Sequence, residues 1–190
     1  MQIIPTAIAE VLLVKPDVYA DKRGYFLESY NRRAYARFGI ETEFVQDSAS
    51  FSQFGTLRGL HYQKGKDAQA KLVRVVSGRI LDAALDIRAG SPTFGRCVLT
   101  ELSDRNNWQL FVPKGFAHGF IVLSETAHVA YKTDAYYAPQ SEGAIDALDT
   151  TLAIDWGISP EACIRSDKDR AAQSWARYVE SADFVFAGSR

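Results

Sequence analysis

At 190 residues and 21.1 kDa the chain has the length of one domain, and its 47% apolar and 12% aromatic content can bury a core without disulfide or metal staples. A net charge of -1 and a pI of about 6.3 give no global basic field, which argues against nucleic acid but leaves room for a local cationic pocket around a small anion. Cys97 and Cys163 have neither CxxC spacing nor metal-site company, so they read as free thiols of a reducing compartment.

The N-terminal stretch has no basic region, long apolar run or cleavage signal, and the apolar run 11–14 is too short for a span. A soluble, cytosolic protein without membrane contact is expected. Asn31 is placed to cap a short helix reaching about Phe38, with Gly39 ending it. Residues 55–63, Gly-Thr-Leu-Arg-Gly-Leu-His-Tyr-Gln, form a strand-like run punctuated by glycine. Between Lys71 and Arg88 two alternating, β-branched runs flank the turn dipeptide Ser77-Gly78. In the second run Leu81, Ala83, Leu85 and Ile87 make one face, read as core. Ile80, Asp82, Ala84, Asp86 and Arg88 make the other, polar enough to line a cavity or meet solvent.

Further strands are expected at 95–101, 109–112, 119–123 and 127–133. Gly90-Ser91-Pro92 and Asp104-Arg105-Asn106-Asn107 are among the turns between them. Ser166 is placed to cap a last helix running to about Val179. With no repeat or linker, the reading is a single, mainly β domain over 1–190, a sandwich or barrel with short peripheral helices including one at the C-terminus.

The chemistry concentrates in two segments. Arg58 and His61 lie in the first, with Lys71 eight residues beyond its end; His118 lies in the second, Val112-Pro113-Lys114-Gly115-Phe116-Ala117-His118-Gly119-Phe120. A histidine beside two cations is the set needed to take a proton from a carbon acid and hold the resulting negative charge. The same histidine would serve equally well as a hydrogen-bonded core residue. Arg58 and His61 are three apart, so a regular strand would point them to opposite faces; both reach one site only if Gly59 introduces a bulge or turn. No HxH pair with a following Glu is present, so no metal is expected. Tyr131 reads as an amphipathic core residue or as a proton donor. Asp169 fits a helix-capping box with Ser166, the use the spacing favours, with a carboxylate orienting a histidine as the alternative.

Taken together these residues resemble the dTDP-4-dehydrorhamnose 3,5-epimerase family. The resemblance covers about 11–169 and rests on the runs 21–28 (Asp-Lys-Arg-Gly-Tyr-Phe-Leu-Glu), 44–47 (Phe-Val-Gln-Asp) and 57–63, then on Lys71-Leu72-Val73-Arg74 and Asp86-Ile87-Arg88. Ser91-Pro92-Thr93-Phe94-Gly95, 113–120 and Leu123-Ser124-Glu125 complete it. It implies a metal-free and cofactor-free cupin jelly-roll barrel, a homodimer with exchanged strands, and a dTDP-linked 4-keto-6-deoxy hexose as substrate. By resemblance the base is His61, supported by Asp169, the proton donor is Tyr131, and Lys71 favours the enolate. Substrate-binding positions correspond to Arg23, Glu28, Gln46, Ser48, Arg58, His118, Glu142 and Lys168.

The chain departs from the family pattern at Ser48, where asparagine is usual, and at Ala49, where histidine is. It also departs across 144–150, which lacks a tryptophan and a proline, and at Gly157, where proline is usual. These positions keep two alternatives open, an epimerase of one centre only and one acting on another nucleotide's keto-sugar. A non-catalytic sugar-nucleotide-binding cupin is the alternative from another class.

Overall fold

The computed structural model describes residues 1–188. Along the chain lie β1 (Gln2–Pro5), β2 (Leu12–Lys15), β3 (Val18–Asp21), β4 (Gly24–Leu27), α1 (Arg32–Ala36), β5 (Gln46–Gln53), β6 (Leu57–Gln63), β7 (Lys71–Ser77) and β8 (Arg79–Asp86). Then come β9 (Arg88–Ala89), β10 (Cys97–Ser103), β11 (Gln109–Val112), β12 (Phe116–Val122), β13 (Thr126–Thr133), β14 (Glu142–Ala144), α2 (Asp167–Arg170), α3 (Trp175–Glu180) and β15 (Phe184–Val185). A six-stranded sheet, in the order β1-β2-β11-β7-β13-β5, faces a five-stranded sheet, β10-β8-β12-β6-β14. This is the expected jelly-roll arrangement, in which two antiparallel sheets share one interior.

The turn at Ser77-Gly78 does not close a hairpin. β7 and β8 belong to different sheets, so the chain crosses from one wall of the barrel to the other there. Gly78 has φ of +88°, and a Cβ at that position would lie 2.1 Å from the Thr126 carbonyl oxygen, so only glycine fits the crossing.

The two faces of β8 are both buried, which corrects the sequence reading. Ile80 and Ala84 face inward and join Val73, Val75, Phe120 and Val129 in the core between the sheets. Ala83, Leu85 and Ile87 are core as expected, but of a second cluster: they face outward and pack under Trp156, Trp175 and Tyr178. The C-terminal quarter covers this outer face, so an apolar run on β8 marks a second core. A third cluster lies on the six-stranded sheet, where Tyr35 and Ile40, in and just after α1, pack on Val14, Leu72 and Phe111.

Asn31 caps α1 through its side chain, and Gly39 adopts φ +85° just beyond the helix, as the sequence led one to expect. The C-terminal helix is not continuous. Ser166 caps α2, which stops at Arg170, and Ser174 caps α3 separately. Between them the Gln173 N–H bonds the Ala144 carbonyl and the Asp146 N–H bonds the Gln173 carbonyl, so the backbone is claimed by the neighbouring strand segment. Trp175 N–H then donates to Asp149 Oδ2 at 2.8 Å, fixing the start of α3.

β6 and β12 carry the expected bulge. His118 pairs with His61 and Phe120 with Arg58, leaving Gly59 and Leu60 opposite Gly119 alone. Gly59 has φ of +117°, and a Cβ there would lie 2.6 Å from Gly119 Cα and 2.7 Å from the His118 carbonyl oxygen. The bulge restores parity: Leu57, Leu60 and Tyr62 all enter the outward cluster. Arg58 reaches Ser52 on the opposite sheet at 3.1 Å. Replacing Gly59 by alanine should lower stability by roughly 2–4 kcal/mol through backbone strain and overpacking. Denaturant unfolding measures this; an unchanged midpoint would show that the strands part without cost.

Candidate active site

The interior end of the barrel bounded by β5, β6, β7, β13 and β14 holds a cavity of about 370 Å³. Gln46 and Ser48 enter it from β5, His61 from β6, Lys71 from β7, Tyr131 from β13 and Glu142 from β14. Inward alternation on each strand produces this gathering: Tyr131 lies opposite Ser48 and Val73, and Thr133 opposite Gln46 and Lys71.

His61 projects from the five-stranded sheet. Its Nε2 lies 2.5 Å from Asp169 Oδ1, on α2, 108 residues away in sequence. Asp169 is buried, and its Oδ2 accepts the Ser166 hydroxyl at 2.7 Å while its own N–H donates to that same hydroxyl at 3.1 Å. Capping and histidine support, which the sequence left as alternatives, are therefore both present in one residue. Burial pushes the Asp169 carboxyl up, but the hydrogen bonds from His61 and Ser166 outweigh it and bring it down to about 2. Asp169 is thus a fixed anion, against which the bonded ring nitrogen of His61 carries a proton and Nδ1 stays available.

Lys71 is buried, with Nζ 3.4 Å from the His61 carbonyl oxygen. Burial draws its ammonium down to about 8, with Asp82 and Glu142 partly offsetting the loss. Glu142 accepts from Lys168 at 2.5 Å and from the Tyr137 hydroxyl at 3.0 Å, which keeps its carboxyl below the usual range despite burial. Gln46 donates through Nε2 to Ser48 Oγ at 3.1 Å and accepts the Tyr137 N–H at 3.0 Å. The shorter side chain at 48 therefore satisfies the Gln46 amide within the protein. His118 is buried beside the site, its Nε2 bonded to Asp82 Oδ1 at 2.8 Å, and burial lowers its pKa.

Other positions named from sequence lie elsewhere in the single chain. Arg23 sits at the exposed tip of the β3–β4 hairpin, paired with Asp21. Glu28 follows that hairpin and accepts from Asn31. Arg58 bonds Ser52, and neither residue lines the cavity. Ser166, Tyr137 and Asp82 were not singled out from sequence as site residues. Ser166 was visible as a cap and Asp82 as a polar residue on a strand face, whereas no spacing marks Tyr137. Among the described residues, no three His, Cys, Asp or Glu side chains converge as metal ligands.

A family model for dTDP-4-dehydrorhamnose 3,5-epimerase matches residues 5–177. The chain belongs to the dTDP-4-dehydrorhamnose 3,5-epimerase family. It is 49% identical over 175 residues to the dTDP-4-dehydrorhamnose 3,5-epimerase of Salmonella typhimurium, covering 90% of this chain and 94% of that protein. It is 48% identical over 171 residues to the enzyme of the same name from Pseudomonas aeruginosa, covering 90% and 93%. Among solved structures, an epimerase from Legionella pneumophila in complex with dTDP-4-keto-L-rhamnose superposes with a TM-score of 0.94 at 46% identity, covering 98% of this chain and 99% of that one. The resemblance drawn from motifs alone thus names the correct family.

The buried ammonium gives a direct test of the site's dryness. NMR titration of side-chain-labelled Lys71 should show a midpoint near 8, where an open, hydrated site would leave it near 10.5.

Proposed function

We propose that the chain epimerises a dTDP-4-keto-6-deoxy hexose at C3 and C5, converting dTDP-4-dehydro-6-deoxyglucose to dTDP-4-dehydrorhamnose. The observation that carries this is the placement of His61 and Tyr131 on opposite sheets, lining one cavity, with Lys71 buried on the strand next to Tyr131's and its Nζ 3.4 Å from the His61 carbonyl oxygen. The C4 ketone acidifies the protons on both neighbouring carbons. His61 removes one through Nδ1, Asp169 stabilises the imidazolium that forms, and Lys71 stabilises the enolate oxygen. Tyr131 returns a proton from the other wall, which inverts the carbon. Gln46, Ser48, His118, Glu142 and Lys168 bind the sugar, and Arg58 and Arg23 meet the diphosphate, for which a forked guanidinium is suited.

Incubation with dTDP-4-keto-6-deoxyglucose in D₂O should place deuterium at both C3 and C5. His61→Ala should slow this exchange by about 10²–10⁴-fold, the usual worth of a positioned base. Deuterium at one carbon only would favour a single-centre enzyme, for which the changed hydrogen bonding at Ser48 is the motivating feature. Binding without any exchange would sink the catalytic reading.

Residues 1–190 are proposed to act as one cupin-like domain within a cytosolic homodimer. No helix among the described residues is long and apolar enough to cross a membrane, and both cysteines are free. Support for the dimer comes from the β3–β4 hairpin, where Tyr19 is 65% and Phe26 69% exposed although both are large apolar side chains. With strands exchanged, this hairpin brings Arg23 and Glu28 to the cavity of the second protomer. Mixing inactive Arg23→Ala and His61→Ala proteins should then restore activity, because a mixed dimer rebuilds one complete site. Failure to restore any, with dimers present by sedimentation, would place Arg23 in its own chain's site.

A further inference from the structure

Asp82 has none of the roles assigned above. It faces the barrel interior from β8 with no exposed surface. Its Oδ1 meets His118 Nε2 at 2.8 Å, whereas its Oδ2 has no hydrogen-bond partner. A carboxylate buried in this state is costly unless positive charge stands close by. Strand register sets His118 directly beside His61, so two imidazoles stand as neighbours, each with Nε2 on its own buried aspartate. Asp169 serves one and Asp82 the other. Lys71 is buried on the facing sheet, and Asp82 is the foremost charge favouring its ammonium form.

We propose that Asp82 is a positioning residue for the epimerisation, fixing His118 as the Nε2–H tautomer and supplying the buried counter-charge of Lys71. Because Asp82 accepts at Nε2, the neutral His118 ring carries its proton there, and its Nδ1 has no protein partner among the described residues. His118 is thereby held beside the cavity as a ring of defined polarity, next to His61. The titratable groups around Lys71 are His61 on β6, Asp82 on β8, His118 on β12, Tyr131 on β13 and Glu142 on β14, the last held by Lys168 and Tyr137. Removing the Asp82 charge leaves Glu142 and, behind His61, Asp169 as the anions of this region, so Lys71 loses its proton at lower pH.

This inference rests on the epimerase reading. The test compares kcat of the wild-type protein and Asp82→Asn from pH 6 to pH 9. The alkaline limb should fall by about one pH unit in the variant, so the ratio of wild-type to variant rates should grow about tenfold across that range. A ratio constant with pH would overturn the counter-charge role, since a merely structural defect lowers the rate equally throughout. ¹⁵N NMR of His118 in the wild-type protein decides the tautomer independently of whether the variant folds. A proton on Nε2 with bare Nδ1 is expected, and the reverse would overturn the proposal. Wild-type protein inactive on the keto-sugar would strike the epimerase reading alone, because the His118 spectrum would still report on Asp82.

Discussion

Two glycines set the geometry on which the site depends. β6 and β12 approach so closely at Gly59 and Gly119 that a Cβ on Gly119 would meet the Arg58 carbonyl oxygen at 2.7 Å. That approach permits the bulge, and the bulge turns His61 inward together with Arg58 while Leu57 and Leu60 both remain in the outward cluster. It also exposes the Gly59 N–H to Asp169, which accepts it at 3.4 Å as well as contacting His61. One local departure from a regular ladder therefore aims the imidazole and offers its carboxylate a second anchor.

Around that point the protein solves an electrostatic problem. Lys71, Asp82, His118 and Asp169 are all buried, and isolated charges in such a place are expensive. The carboxylates are met by contact: Asp169 by His61 and Ser166, Asp82 by His118, and neighbouring Glu142 by Lys168. Lys71 makes no direct ion pair among the described residues, and burial weakens its ammonium. A cation desolvated but not neutralised by contact is suited to a negative charge that develops during reaction, because no partner has to be displaced first.

Much of this was legible in the sequence where local rules decide. Period-two alternation and turn residues mark β7, β8, β11 and β13, and Asn31 and Gly39 mark the limits of α1. The need for a bulge at Gly59 follows from parity alone. Long-range choices were not legible. Nothing in Ser77-Gly78 distinguishes a hairpin from a crossing between sheets, since both need the same left-handed glycine. Leu81, Ala83, Leu85 and Ile87 look the same whether they face the other sheet or a C-terminal cover. The break between α2 and α3 depends on Ala144 and Asp149, far from that helix in sequence, competing for its backbone. For Tyr131 and Asp169, spacing admits more than one use, and the family motifs supplied the roles proposed for them.

The C-terminal cover has a consequence for how the molecule fails. Asp169 rides on a four-residue helix whose attachments run through the cover: Arg165 bonds the Asp169 carbonyl and Asp146, and Gln173 bonds the strand segment at Ala144. Tyr178 donates to the Ile87 carbonyl, and Tyr62, next to His61, donates to Asp183. None of these contacts is a ladder bond between strands of the two main sheets. Loosening of the last quarter of the chain would thus separate carboxylate from imidazole while the barrel persisted, making turnover a gauge of C-terminal docking that gives way before the fold does.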